Sequence, residues 1–230
     1  MPFSRSASLP AVLASALLLA GCVTTESNQR AFAQLRDTLP CCQTMQEFPI
    51  ETVTAKDTRF EIDATSPVFV FGQQKSYFRA FELPPEGTAY KLEVKSFPAY
   101  APYASRTPIF MPGLLFLNAK KEAAAYWGPD KFRYSPEGWF EGRGIATVIT
   151  VAETGDRPHY LVIFTPANSP EDGGGTMHTP ATMTPVMIGG TMVPIMSGGG
   201  TSTTEPMPTG SLRLSIETLP PKPAAPATSQ

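Results

Sequence analysis

Tyr90-Lys91-Leu92-Glu93-Val94-Lys95-Ser96 decides the fold class. Apolar and charged residues alternate through it, the period of a strand with one face on a core and one in water. Leu92 and Val94 are expected inward, and Lys91, Glu93 and Lys95 outward. Near the other end, Leu212-Arg-Leu-Ser-Ile-Glu217 repeats the pattern. Two further stretches, Val68-Phe-Val-Phe71 and Tyr160-Leu-Val-Ile-Phe-Thr165, are continuously apolar, as strands covered on both faces are. Residues 50–56, 77–83, 109–117 and 143–152 are further candidate strands. Turn signals such as Pro84-Pro-Glu-Gly87 and Glu153-Thr-Gly-Asp156 separate them. About eight strands with little helix between them predict an all-β chain, a single β-sandwich of jelly-roll or immunoglobulin-like form.

The start of the chain has a different character. Arg5 precedes an apolar run from Leu9 to Ala20 that is too short to span a bilayer comfortably and contains Pro10. The run ends in Leu19-Ala-Gly-Cys22, which resembles a lipobox. That resemblance implies cleavage before Cys22 and acylation of its thiol, with two or three chains (palmitate among them) as a firm anchor. Val23 rather than aspartate follows the cysteine, which leans toward the outer membrane over the inner. Residues 1–21 are therefore read as a signal peptide and 22–38 as a lipidated tether with a short helix. Phe32, Leu35 and Leu39 give the helix its apolar stripe between Glu26 and Leu39, and Pro40 stops it. Residues 39–218 form the sandwich domain, and 219–230 a Pro/Ala-rich tail.

Cleavage removes one charge, Arg5, and moves the formal net charge from −2 to −3. So weak an acidic balance argues against nucleic acid, whose binders carry a basic stripe. Glycine and proline concentrate in residues 166–210, an insertion read as a functional or a disordered loop. It holds six of the nine methionines, beside His178. Thioethers and imidazole suit Cu(I), yet the methionines lack a tight repeat and also serve as adaptable contacts, so a flexible or partner-contacting hairpin is preferred. No metal or cofactor is expected.

Cys41 and Cys42 are the remaining cysteines, with only His159 and His178 as imidazoles, too few for a zinc site. A bond between adjacent cysteines is uncommon; an intermolecular disulfide and a buried reduced pair are the alternatives. A structural role is favoured over a redox one because Cys-x-x-Cys is absent. Gly72-Gln-Gln-Lys-Ser76 lacks the upstream glycine of a phosphate loop and reads as a β-turn. His159 has no nucleophile motif beside it and reads as structural.

Residues 126–140 carry Tyr126, Trp127, Phe132, Tyr134, Trp139 and Phe140, with Asp130, Glu137 and Glu141 nearby. Aromatic faces stack on sugar rings but more often fill cores. Trp127, Tyr134 and Trp139 are the candidate glycan-binding residues. Paired carboxyls would be needed for glycoside hydrolysis, the least favoured reading.

In order, the chain shows Gly72-x-x-x-Ser76, Ala80-Phe-Glu-Leu-Pro84, the charged strand ending at Ser96, and Ile109-Phe-Met-Pro-Gly-Leu-Leu-Phe-Leu117. The aromatic segment, Gly142 and Tyr160-Leu-Val-Ile-Phe-Thr165 follow. This order over residues 41–217 resembles the MalM family, the periplasmic protein family of the maltose operon. The paired Cys41-Cys42 is similar to what members carry; Asn118 departs from the usual aspartate. The resemblance implies the periplasm, accessory work in maltose- or maltodextrin-type carbohydrate uptake through a glycan or a transport protein, and no catalytic residues. A structural or interaction module of the envelope without sugar binding is the alternative.

Overall fold

Among the residues that the computed structural model describes, sixteen strands and one helix carry the fold. Those residues are 23–53, 56–85, 87–99, 106–135, 142–153, 157–166, 176–179, 182–188, 191–197 and 200–220. The helix, α1, spans Val23–Asp37. The strands begin with β1 (Ile50–Thr52), β2 (Asp57–Ile62), β3 (Val68–Phe71) and β4 (Gln74–Glu82). Next come β5 (Tyr90–Phe97), β6 (Thr107–Phe110), β7 (Gly113–Leu117) and β8 (Ala123–Trp127). Then follow β9 (Arg133–Ser135), β10 (Gly144–Val151), β11 (Tyr160–Phe164) and β12 (Thr176–Thr179). The last are β13 (Thr182–Ile188), β14 (Thr191–Ser197), β15 (Gly200–Met207) and β16 (Gly210–Thr218).

Two sheets make the all-β sandwich. One has the order β1-β4-β11-β7-β8, with β3 also on β4; the other has β2-β16-β5-β10-β9. Leu92, Val94, Leu212 and Leu214 of the second sheet meet Tyr77, Phe81, Leu114, Leu161 and Ile163 of the first, all fully buried or nearly so. The alternation of β5 and β16 thus fixes one wall of the core. Gly144 lets β10 lie against β5, since a side chain there would reach within 2.2 Å of the Ser96 carbonyl.

The continuous run in β11 has the cause its pattern implies. Leu161 and Ile163 enter the sandwich core, while Val162 and Phe164 join a second cluster with Phe48, Phe78, Ala80 and Leu117. The strap of residues 39–50 covers that second face. The parallel expectation for Val68–Phe71 fails at Val70, which is 39% exposed on the face opposite the one the strap covers. Gly72, at φ +67°, opens the two-residue link from β3 to β4, the position a type II′ hairpin turn reserves for glycine.

Other expectations shift. The stretch 109–117 is two strands, broken at Met111-Pro112. α1 begins earlier than its apolar spacing indicates, and the Asn28 amide fastens it to β15, donating to the Glu205 carboxylate (2.7 Å) and the Pro206 carbonyl (3.1 Å). Leu39 lies beyond the helix and is 83% exposed. Lys95, expected outward and solvated, is instead buried, its ammonium 5.6 Å from the centre of the Phe97 ring.

The insertion, read as a functional or disordered loop, is a β-ribbon. β12 pairs with β15 from Thr176↔Thr203 to Thr179↔Gly200, and β13 with β14 from Thr182↔Ser197 to Ile188↔Thr191. Both segments hold the same register. In that register Met177 is the partner of Ser202, His178 of Thr201, Met183 of Met196 and Met187 of Met192.

A candidate contact groove at the open side of the sandwich

Among the described residues the sandwich is not closed on one side. β8 ends the first sheet, and β9 pairs β10 only from Gly144 to Ala146, so Thr147–Val151 border a gap. The gap is a groove of about 760 Å3. Ala124, Ala125 and Trp127 form one wall, Ile149 to Ala152 the other, and Lys120, Glu122, Arg157 and His159 the rim.

Each part is held from elsewhere. Trp127 is half-buried and donates its indole N–H to the Thr147 hydroxyl at 3.1 Å, a bridge between the two sheets. The turn between β7 and β8 is built on Asn118. Its Oδ1 accepts from the backbone N–H of Lys120 and of Glu122, both at 2.9 Å, and its Nδ2 donates to the Glu122 carboxylate, also at 2.9 Å. An aspartate could accept the first two bonds but could not donate the third. Lys121 sits at φ +58°, a conformation that costs a branched-free L residue roughly 1 kcal/mol. Its ammonium offsets that cost by donating to the carbonyls of Gln46 (2.9 Å) and Phe48 (3.2 Å) in the strap.

At the far rim the Arg157 guanidinium donates to the Thr88 carbonyl at 2.6 Å and lies 5.4 Å from the centre of the Tyr90 ring. Burial pushes the Tyr90 hydroxyl pKa up, and Arg157 opposes that shift. The Tyr126 hydroxyl is also pushed up, by burial and then by the charge of Asp130. Among the described lining residues Glu122 is the one carboxylate.

The aromatic segment is divided among different surroundings. Trp127 lines the groove, whereas Tyr126, its neighbour in the strand, belongs to the opposite face and is 52% exposed. Phe132 is in the core, and Tyr134 stands opposite Ile145 of β10 without lining the groove. Asp130 is exposed and pairs with Lys131 at 3.2 Å. Trp139, Phe140, Glu137 and Glu141 lie outside the described residues, as does Cys22. His159 takes a place on the rim that its sequence setting did not indicate. Thr147, Arg157 and the Asn118 turn were not singled out as site residues; Asn118 was marked only by its departure from aspartate.

Cys41 and Cys42 are bonded to each other, and the Cys41 N–H donates to the Val68 carbonyl at 2.8 Å, which ties the strap to β3. Among the described residues no three His, Cys, Asp or Glu side chains are grouped to hold a metal, and no helix is long and apolar enough to cross a membrane.

An all-β sandwich with a groove on its open side defines the class. The family model described as "Maltose operon periplasmic protein precursor (MalM)" matches residues 73–198, more than half of the chain. The chain belongs to the MalM family, a family of periplasmic proteins. No curated protein matches it, and no solved structure does.

Proposed function

We propose that this protein is a non-catalytic accessory of maltose- or maltodextrin-type uptake, anchored through acylated Cys22 on the periplasmic side of the outer membrane, and that it works by contact at the groove beside Trp127. The groove carries the reading. It offers an indole and small apolar side chains for the C–H face of a sugar, with Lys120, Glu122, Arg157 and His159 around it for hydroxyls. Its one described carboxylate already accepts from Asn118, which favours binding over hydrolysis. A protein-interaction role without sugar is the second reading, favoured by the separation of Tyr126, Trp127 and Tyr134 onto different surfaces.

The test is uptake of labelled malto-oligosaccharides by cells lacking the gene, beside thermal melting of the purified full chain with the same sugars. Slower uptake, restored by the gene, supports the accessory role; unchanged uptake overturns it. At roughly a hundred times its dissociation constant a ligand adds ~2.7 kcal/mol, a readable melting shift. Slower uptake without any shift gives the contact to a protein instead. A Cys22→Ser chain is expected to leave the membrane fraction.

A further inference from the structure

A flexible linker between an anchor and a domain is rich in glycine and serine. Val23–Asp37 contains no glycine and one serine, Ser27, and α1 runs through all of it, starting at the residue after Cys22. The helix is also fastened to the body along its length. Buried Asn28 holds Glu205 and Pro206 of β15, and Leu35 enters the sandwich core. At the far end the Lys75 ammonium donates to the carbonyls of Arg36 (2.6 Å) and Thr38 (2.9 Å), a cation set on the negative end of the helix dipole. With these contacts made, α1 does not swing on the body.

We infer that α1 is a rigid strut that holds the body on the lipid surface, with the contact between Asn28 and Glu205 at the level of the headgroups. The inference rests on the acylation of Cys22 put forward above, and adds where the body then stands. From Val23 to Asn28 the helix rises only about 8 Å, whereas the same steps fully extended would reach about 17 Å. The headgroup layer on one side of a bilayer is itself about 5–8 Å deep. With acyl chains entering the hydrocarbon from Cys22, the place where α1 meets β15 touches headgroups rather than open periplasm. The partner is a lipid surface, and whatever the body contacts next must lie in that membrane or come to it.

The test uses the acylated full chain in vesicles of phosphatidylethanolamine and phosphatidylglycerol that carry a nitroxide on a fraction of the headgroups. Cys41 and Cys42 are bonded to each other and Cys22 carries lipid, so Gln29→Cys, at an exposed position of α1, offers one free thiol for a fluorophore. The headgroup nitroxide is expected to quench that fluorophore by at least half. About twelve Gly/Ser residues inserted between Val23 and Thr24 leave the lipobox and the residue after it in place. They give the body about 20 Å of play and should cut the quenching at least threefold. An unchanged melting temperature confirms that the longer chain folds. Weak quenching without the insertion, or equal quenching with it, overturns the strut. A chain that does not float with the vesicles fails earlier, at the anchor itself, and takes the strut with it.

Discussion

On the sheet of β1, β4, β11, β7 and β8, the positions facing away from the sandwich core include Phe78, Ala80, Leu117, Val162 and Phe164. On the sheet of β2, β16, β5, β10 and β9 they include Lys91, Glu93, Arg213, Ser215 and Glu217. Inside, the two sheets are equally apolar; outside, they are opposites. The cause lies in neither sheet. Residues 39–50 lay Phe48 on the first sheet, with ring centres 4.4 Å from Phe78 and 4.7 Å from Phe69. On the second sheet, charges pair across strands, as Arg213 does with Glu93 at 2.6 Å. Burial of an outer face is thus decided by a segment arriving from elsewhere, and the strand answers it with a continuous rather than an alternating run.

The comparison breaks most readily at Phe48. Phe48→Ala empties the centre of the second cluster and should cost about 3–5 kcal/mol in denaturant unfolding. A cost below about 1 kcal/mol would mean that the strap is not part of the cooperative fold. On the opposite face Glu93→Gln leaves the largely buried Arg213 without its carboxylate. A loss of about 1–3 kcal/mol is expected, since the charged hydrogen bond to Glu93 is lost while the desolvation cost of Arg213 remains.

Between the sheets, the raised Tyr90 pKa makes stability fall at alkaline pH. The hydroxyl is neutral when buried, so its contribution is intact below the ordinary tyrosine range and lost as pH rises through the higher folded value. Arg157→Gln should raise that value further, seen as a later tyrosinate absorbance midpoint. An earlier one would refute the opposition between burial and charge.

The smallest effect belongs to the turn from β2 to β3, where the chain passes from one sheet to the other. Thr65 donates to Asp63 through its hydroxyl and its backbone N–H, and these bonds hold the carboxyl below its usual range. Its contribution is present above the ordinary aspartate value and is lost as pH falls through the folded one. Thr65→Ala should raise the Asp63 midpoint in a carboxyl NMR titration, with a stability change of a few tenths of a kcal/mol at this exposed site. No movement would assign the shift elsewhere.

What was legible in the sequence follows the same division. Alternation in 90–96 and 212–217, and its absence in 160–165, showed which strands have one covered face and which have two, because side-chain period records burial directly. Lys95 escaped that logic, since a cation buried over Phe97 has the same letter as a solvated one. The groove was less legible. Trp127 was visible as an aromatic, but its bridge to Thr147 joins residues of different sheets, and no local pattern encodes that meeting. Asn118 looked only like a departure until Glu122 was seen to accept its amide hydrogen. A hairpin was expected in the insertion, but its register was hidden because Gly, Thr and Met are weak strand signals singly, and its order lies in the pairing of one limb with the other.

That pairing makes the ribbon sensitive to reading frame in a way the sandwich loops are not. Met183 stands opposite Met196 and Met187 opposite Met192 because the two limbs hold one register. Deleting a single residue between Met183 and Met187 would set one of the two methionine pairs out of step without changing the composition that marked the segment. Over evolutionary time, an insertion or deletion within one limb of the ribbon should therefore be matched by one in the other.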